Sequence, residues 1–349
     1  MTSLSEVAPK ARAGIKYAAF TLVFLIVGRV ILTAAVAYWK QLHPPPPPPP
    51  DVKFGKLPKL EFPQADQPKL TYSLQTATGG LPTTIPGQFK VFFMPIKKPS
   101  LLAYDNAKSV ANRLDFIQDP KKLSDTDYRW DSSSPVPSSL TMNIITGAFV
   151  MDRTWQNDPS YLVPTLYYTD SQAVDRTFNL LSTVDLLPDD IKTGTNTIGY
   201  LKGDKGQLVS AVSLSQSDFI QVNLYRQEVD NTPCVYPWTT RGPITAILAL
   251  QREDGKQFIH LDYDYFPVDT STSAVYPLIT PADAYARLQN GQSFIAAVKP
   301  SATSVTITDV SLAYYDSDTP QQYLQPVYVF KGDNDFEAYV PAVSDSWVQ

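Results

Sequence analysis

The chain has 349 residues, of which 43% are hydrophobic, and this length is enough for two or three domain-sized units with packed cores. When the first 40 residues are set aside, with their five basic residues and one acidic residue, 24 basic and 33 acidic residues remain, a net charge of −9. The sequence has no basic run with interleaved aromatics, which argues against nucleic acid and anionic lipid surfaces as partners. A single cysteine, Cys234, excludes an intramolecular disulfide and a cysteine-based metal cluster.

Residues 17–39 predict a single transmembrane helix. They carry one charge, Arg29, and are bounded by Lys16 and Lys40. As a helix they would extend ~35 Å, enough to cross the hydrocarbon core of a bilayer. Arg29 would lie near mid-membrane, where it either snorkels to water or meets a polar group of a partner helix. A cleaved signal peptide is the alternative, because Ala-Val-Ala at 35–37 could be a cleavage site.

The positive charges around the span predict its orientation. Lys10, Arg12 and Lys16 precede it, and Lys40 follows it directly. Seven prolines at 44–50 should form an extended polyproline II segment of ~22 Å that holds later lysines away from the headgroups. The excess of nearby positive charge before the span predicts a cell-membrane protein with a cytoplasmic N-terminus and an extracytoplasmic C-terminal region.

The rest of the chain predicts an α+β fold of tandem modules, each a short helix packed on an antiparallel β-sheet. The order of helical and strand patterns recurs three times, although the repeat is weak in sequence identity. The predicted divisions are a cytoplasmic segment (1–16), the span (17–39), a proline-rich tether and lead-in segment (40–86), and three modules (87–160, 161–270 and 271–349).

Each predicted module contains one helix with an apolar stripe. We expect Asp105 to cap the first helix and Asp170 or Ser171 to cap the second. The third has the clearest start, with Thr280 as the cap of a capping-box-like sequence, and it should stop at Gly291.

Runs of β-branched and aromatic residues predict the strands. These lie within 87–95, 140–152, 162–169, 197–229, 242–268, 304–316, 323–330 and 336–343. Hairpin turns are expected at 203–206 and around Asp254-Gly255. Pro326 predicts that the strand 323–330 is an edge strand or begins its pairing after the proline, because proline has no N–H to donate.

The region 280–343 resembles extracytoplasmic bacterial regulators of the YycH/YycI kind, and it is also similar to PepSY-like modules. The matching residues are Ala284, Leu288, Gly291, Ile307, Leu312, Tyr314, Tyr315, Tyr323, Leu324, Pro326, Val327, Tyr328, Phe330, Tyr339, Val340 and Pro341. The resemblance implies a non-enzymatic, membrane-tethered α+β protein. Some members of these families modulate sensor kinases, and PepSY relatives include peptidase inhibitors.

The sequence contains one weak candidate for a metal site. His260, Asp262 and Asp264 alternate along a predicted strand, so they share one face and could hold a divalent cation. The favoured interpretation is a solvated outer face. Cys234 is expected to be a buried, small apolar residue. No phosphate loop, GxSxG or GxGxxG motif occurs, so no cofactor is predicted.

These patterns favour a membrane-anchored, extracytoplasmic protein-binding or regulatory module without catalytic activity. The alternatives are a structural component of the cell envelope or of a surface assembly, and, less favoured, a metal-dependent enzyme that uses His260, Asp262 and Asp264. The expected partners are the membrane, through 17–39, and an envelope protein, and the chain could also self-associate. Trp347, beyond the last predicted strand, should either pack back onto its domain or be offered to the partner.

Overall fold

The computed structural model describes residues 4–42, 48–64, 67–77, 79–133, 136–163, 168–250 and 256–349. The chain divides into two units after residue 49.

The first unit contains one long helix, Leu4–Leu42 (α1). Within it, residues Lys16–Trp39 are long and apolar enough to cross a membrane, and none of this segment is buried within the protein. Arg29 is exposed near the middle of this segment. By length and composition, this segment meets the requirements of a membrane span, and a signal sequence near the N-terminus meets the same requirements.

The second unit has an α+β fold dominated by two β-sheets. Its α-helices are Ala103–Arg113 (α2), Asp170–Thr183 (α3), Asp189–Lys192 (α4) and Pro281–Gln289 (α5). Its strands are Thr71–Leu74 (β1), Gln88–Phe93 (β2), Lys121–Lys122 (β3), Asp127–Ser132 (β4), Ser138–Asn143 (β5), Phe149–Arg153 (β6), Thr195–Asp204 (β7), Gln207–Ser210 (β8), Phe219–Tyr225 (β9), Cys234–Val235 (β10), Ile244–Ala249 (β11), Phe258–Tyr263 (β12), Asp269–Pro277 (β13), Phe294–Ala297 (β14), Ser304–Tyr315 (β15), Tyr323–Gly332 (β16) and Glu337–Pro341 (β17).

Nine strands form an antiparallel sheet, sheet I, in the order β3-β4-β5-β6-β12-β11-β9-β7-β8. Helices α2, α3 and α4 cover one face. Small residues such as Ala107, Ala111 and Ala173 let the helices approach the sheet, where they meet Trp130 and Leu261 in one core. The alternating burial of β6, with Phe149 and Met151 inside, is that of a strand with one face on this core.

Eight strands form the second sheet, sheet II, whose main path is β1-β15-β16-β17-β14. Strands β1 and β10 pair with β15 in parallel, and β2 pairs with both β13 and β16. Helix α5 packs on this sheet through Ala284 and Leu288, against Tyr328 and Phe330.

The division into three tandem modules is not confirmed. Strand β2 lies in the predicted first module, but it pairs with β13 and β16 of the third. Strand β10 lies in the predicted second module and pairs with β15. Val91 and Phe92 of β2 are buried, and Cys234 and Val235 of β10 are half-buried; sheet II is where these residues are covered.

The helix caps were predicted with mixed success. Thr280 caps α5 in a complete capping box, and Gly291 follows the helix with φ +71°, as predicted. The prediction for α2 was wrong, because α2 begins at Ala103 after Leu102 and Asp105 lies in the first turn. Helix α3 is capped by Thr169, one residue before the predicted position.

Pro326 does not lie in an edge strand, so that part of the prediction was wrong. Strand β16 runs between β15 and β17 and is buried over 323–330. On the side of β16 that faces away from β15, the partner strand changes at the proline. Leu324 pairs with β2 on that side, whereas the pairing with β17 begins at Val327. The missing N–H therefore falls where the partner strand changes, and the proline carbonyl still accepts from Ala342 at 3.1 Å.

Two further predictions concern loops. The hairpin at 203–206 is confirmed, with positive φ at Lys205 and Gly206 between β7 and β8. The strand predicted at 162–169 is not observed where the chain is described, because Pro159–Leu162 is a 3-10 helix. Residues 164–167 of that range and the hairpin predicted at Asp254-Gly255 lie outside the described residues.

Candidate functional site

The three candidate metal ligands do not converge on one point. His260 Nδ1 lies 2.7 Å from Asp152 on the neighbouring strand β6, whereas Asp262 is paired with Arg241. Asp264 accepts a hydrogen bond from the Tyr236 hydroxyl at 3.3 Å. No group of three or more His, Cys, Asp or Glu side chains within the described residues is arranged to hold a metal ion.

The interpretation of this strand face as solvated was also wrong. Asp262 is only 4% exposed. The segment between β9 and β11 of sheet I passes through β10, which belongs to sheet II. Arg241 of this segment pairs with the Asp262 carboxylate and covers it. The sequence pattern placed the two aspartates on one face correctly, but it gave no sign of the segment that covers them.

A charged cluster, which we call the Arg241 junction, connects the two sheets at this face. Its members are Arg241, Asp262, Asp264, Asp318, Tyr236 and Trp238. Arg241 lies 3.6 Å from Asp264 and 3.7 Å from Asp318, in addition to its contact with Asp262. Trp238 donates its indole N–H to Asp318 at 2.8 Å, and its ring lies 5.2 Å below the Arg241 guanidinium. Asp318 follows strand β15 of sheet II, so the junction joins charges from both sheets.

The Arg241 junction contains three carboxylates and one guanidinium. Burial, and then the neighbouring Asp262 carboxylate, raise the pKa of Asp264 to about 7, although Arg241 acts in the opposite direction. Asp262 Oδ1 is buried and has no hydrogen-bond partner within the described part of the chain. The arrangement can therefore take up a proton at Asp264 near neutral pH.

A second cluster, which we call the Arg226 junction, lies deeper between the sheets. Arg226, directly after β9, donates two hydrogen bonds to Asp316 at 2.7 and 3.2 Å. It also donates to Asp190 at 3.1 Å and to the Phe266 carbonyl at 2.7 Å. Its guanidinium lies over the ring of Tyr265, 5.0 Å from the centroid. Every side of the arginine is occupied by protein, which is typical of a structural link.

The remaining predicted residues have structural surroundings. Trp347 is half-buried and packs edge-on against Tyr276, with ring centroids 6.3 Å apart. The Trp347 carbonyl accepts a hydrogen bond from Leu57 of the lead-in segment at 2.8 Å. Cys234, which was predicted to be buried, is half-buried in β10, and the partial loss of solvent raises the pKa of its thiol to about 12. A thiol of this kind is protonated at neutral pH and a poor nucleophile.

Comparisons with known proteins add little. No protein-family model and no curated protein matches the chain. Among solved structures, the chain is similar to an uncharacterized protein from Eubacterium rectale ATCC 33656, with 10% sequence identity and a TM-score of 0.34. The match covers 73% of this chain and 82% of that one. A similarity at this level carries no argument about fold or function.

Proposed function

We propose that the protein is a membrane-anchored, extracytoplasmic binding or regulatory module without catalytic activity. The observation that carries this proposal is the exposed apolar segment Lys16–Trp39 of α1. This helix supplies an anchor, and residues 50–349 supply a folded unit for contact with a partner.

The charges near the span support the proposed orientation. Lys10, Arg12 and Lys16 precede it, and only Lys40 follows it closely before the prolines. The resemblance of 280–343 to YycH/YycI-like regulators and PepSY-like modules supports a protein partner in the envelope. In a self-associating protein, a second copy of this chain would take the place of that envelope partner.

The sheet edges are the surfaces that best suit a protein partner. Strands β3 and β8 end sheet I, whereas β1 and β14 end the main path of sheet II. An edge strand carries backbone N–H and C=O groups that can pair with an added strand. Trp347 is less suited to docking, because it packs against Tyr276.

Two experiments test this proposal. A reporter that is active only outside the cytoplasm should be active when fused after Gln349 and inactive when fused before the span. Purification of the full chain from detergent-solubilised membranes should then recover one stoichiometric signalling or peptidase protein. The reverse reporter pattern would overturn the orientation, and the absence of a stoichiometric partner would overturn the binding role.

A structural role in the envelope is the second candidate, and the lead-in segment favours it. Asp51 accepts the Val275 N–H at 2.8 Å, and Phe54 and Phe62 stack on Tyr323 and Phe294 of sheet II. The segment 51–62 is thus fixed along sheet II by these contacts, which suits a spacer between an anchor and a folded domain. Co-purification with abundant surface-assembly material, in place of one partner, would favour this role.

A further inference from the structure

A cavity of about 370 Å³ lies beside helix α2, away from both arginine junctions. This volume falls in the range of about 300–1,000 Å³ that is typical of small-molecule sites. The cavity lies between α2 and the turn that connects β5 to β6. Its floor is apolar and includes Ala103, Ala107, Met142 and Leu186.

The mouth of the cavity is positively charged. Lys97 and Lys98 line it, and none of the described residues that line the cavity is acidic. Neither lysine has an ion-pair partner among the described residues, although the chain as a whole carries a net charge of −5. The site therefore has an uncompensated positive charge beside an apolar surface.

The ammonium of Lys97 is held in place at this mouth. It donates to the Thr146 carbonyl at 3.1 Å and lies against Gly147, where an added Cβ would approach Nζ to 3.3 Å. Lys97 is an exposed residue, but its ammonium is partly desolvated where it meets Thr146 and Gly147, and this lowers the pKa of Lys97. An anion at this point would supply the missing partner.

We propose that this cavity binds a small carboxylate with a medium-length apolar chain, such as a medium-chain fatty acid. The carboxylate would meet Lys97 and Lys98, and the chain would lie over Ala107 and Met142. The lack of an acidic lining residue favours the anionic head, and the apolar floor favours a tail over a bare inorganic anion. The proposal goes beyond the proposed function because it depends on neither the membrane orientation nor a protein partner.

The test uses the full chain in phosphatidylcholine nanodiscs, with empty nanodiscs as the reference for partitioning. Binding of carbon-13-labelled octanoate is followed through its carboxylate NMR signal. Octanoate should bind, whereas acetate and octanol should compete at least about tenfold more weakly. Acetate lacks the apolar chain, and octanol lacks the carboxylate.

Two variants locate the site. Lys97→Met should weaken octanoate binding about tenfold, since it removes the charge and keeps much of the apolar stem. Asn106→Trp, at an exposed position of α2 on the cavity wall, should block the apolar floor. Lys108→Met is the matched control, because Lys108 is on the same helix but pairs with Asp119 outside the cavity.

Three results would overturn the proposal. The first is equal competition by octanol, which would show an apolar groove without anion recognition. The second is octanoate binding that is unchanged in both Lys97→Met and Asn106→Trp. The third is protection of Lys97 from chemical modification by anionic nanodiscs but not by octanoate, which would show that this loop contacts a lipid surface.

Discussion

The Arg226 and Arg241 junctions both connect sheet I to sheet II through arginine and aspartate, but they differ in burial and charge balance. The Arg226 side chain is 1% exposed and is matched closely by Asp316, Asp190 and a carbonyl group. The Arg241 side chain is 31% exposed and is shared among three carboxylates.

This difference determines how each junction responds to pH. Burial disfavours the charged form of Arg226, but the Asp316 and Asp190 carboxylates together more than offset this, so the pKa of Arg226 is raised. Burial also raises the pKa of Asp316, and the Arg226 guanidinium acts in the opposite direction, so each charge of this pair depends on the other. In the Arg241 junction the excess of carboxylates leaves Asp264 with a pKa of about 7. The first junction is a closely matched buried pair, whereas the second changes its charge near neutral pH.

Arg226→Met should have the largest effect, a loss of about 3–5 kcal/mol in the free energy of unfolding, because Asp316 would remain buried without a partner. Urea unfolding of the full chain in detergent measures it. Adding Asp316→Asn should recover part of the loss. Arg113→Met, which removes an exposed pair with Asp185, is the control and should change little. A loss below about 1 kcal/mol for Arg226→Met would contradict the structural role.

Arg241→Met should have a smaller effect, about 2 kcal/mol at pH 8, because its site is partly exposed. The loss should shrink at pH 5, where Asp264 is protonated and fewer carboxylates need the arginine. Unfolding at both pH values, in parallel with Arg226→Met, tests the contrast. Equal losses at the two pH values for Arg241→Met would mean that Asp264 does not titrate in this range.

Asp264→Asn should stabilise the protein at pH 8 by on the order of 1 kcal/mol. The folded-state pKa of Asp264 lies above its ordinary value, so its contribution to stability is complete below about pH 4 and is lost as the pH rises through about 7. The variant should match the unmodified protein near pH 4 and lack this decline. Asp309→Asn, on an exposed position of β15, provides the comparison. A variant that is less stable at pH 8 would refute the assigned sign.

The last prediction concerns reactivity and no change in stability, at Cys234, whose strand β10 lies beside the Arg226 junction. Because burial raises the pKa of its thiol to about 12, alkylation by iodoacetamide at pH 8 should be about a hundredfold or more slower than in the urea-unfolded chain. Mass spectrometry of the labelled protein measures the rate. A folded-state rate within about tenfold of the unfolded rate would show that this junction opens readily.

Local signals predicted several elements correctly. The apolar run at 17–39, the capping box of Thr280 and the turn at 203–206 are each encoded within a few neighbouring residues. Local signals did not predict the start of α2. There the Ser100 hydroxyl accepts the Leu102 N–H and the Ser100 carbonyl accepts the Ala103 N–H, so the helix begins earlier than the predicted cap. Period-2 alternation also placed Asp262 and Asp264 on one face, but no local pattern indicates their partner Arg241 or the third carboxylate that shares it, Asp318.

The sequence alone determined the apolar helix, the α+β class and most strand positions, because periodicity, caps and turn residues act over short distances along the chain. Only the tertiary structure decided that β2 and β10 join sheet II and that Pro326 lies inside the sheet where β16 changes partners. It also decided that the face of β12 that carries Asp262, which was predicted to be solvated, is covered. These outcomes depend on which distant segments bury each other's apolar surface and charges, and neighbouring residues in the sequence do not specify that choice.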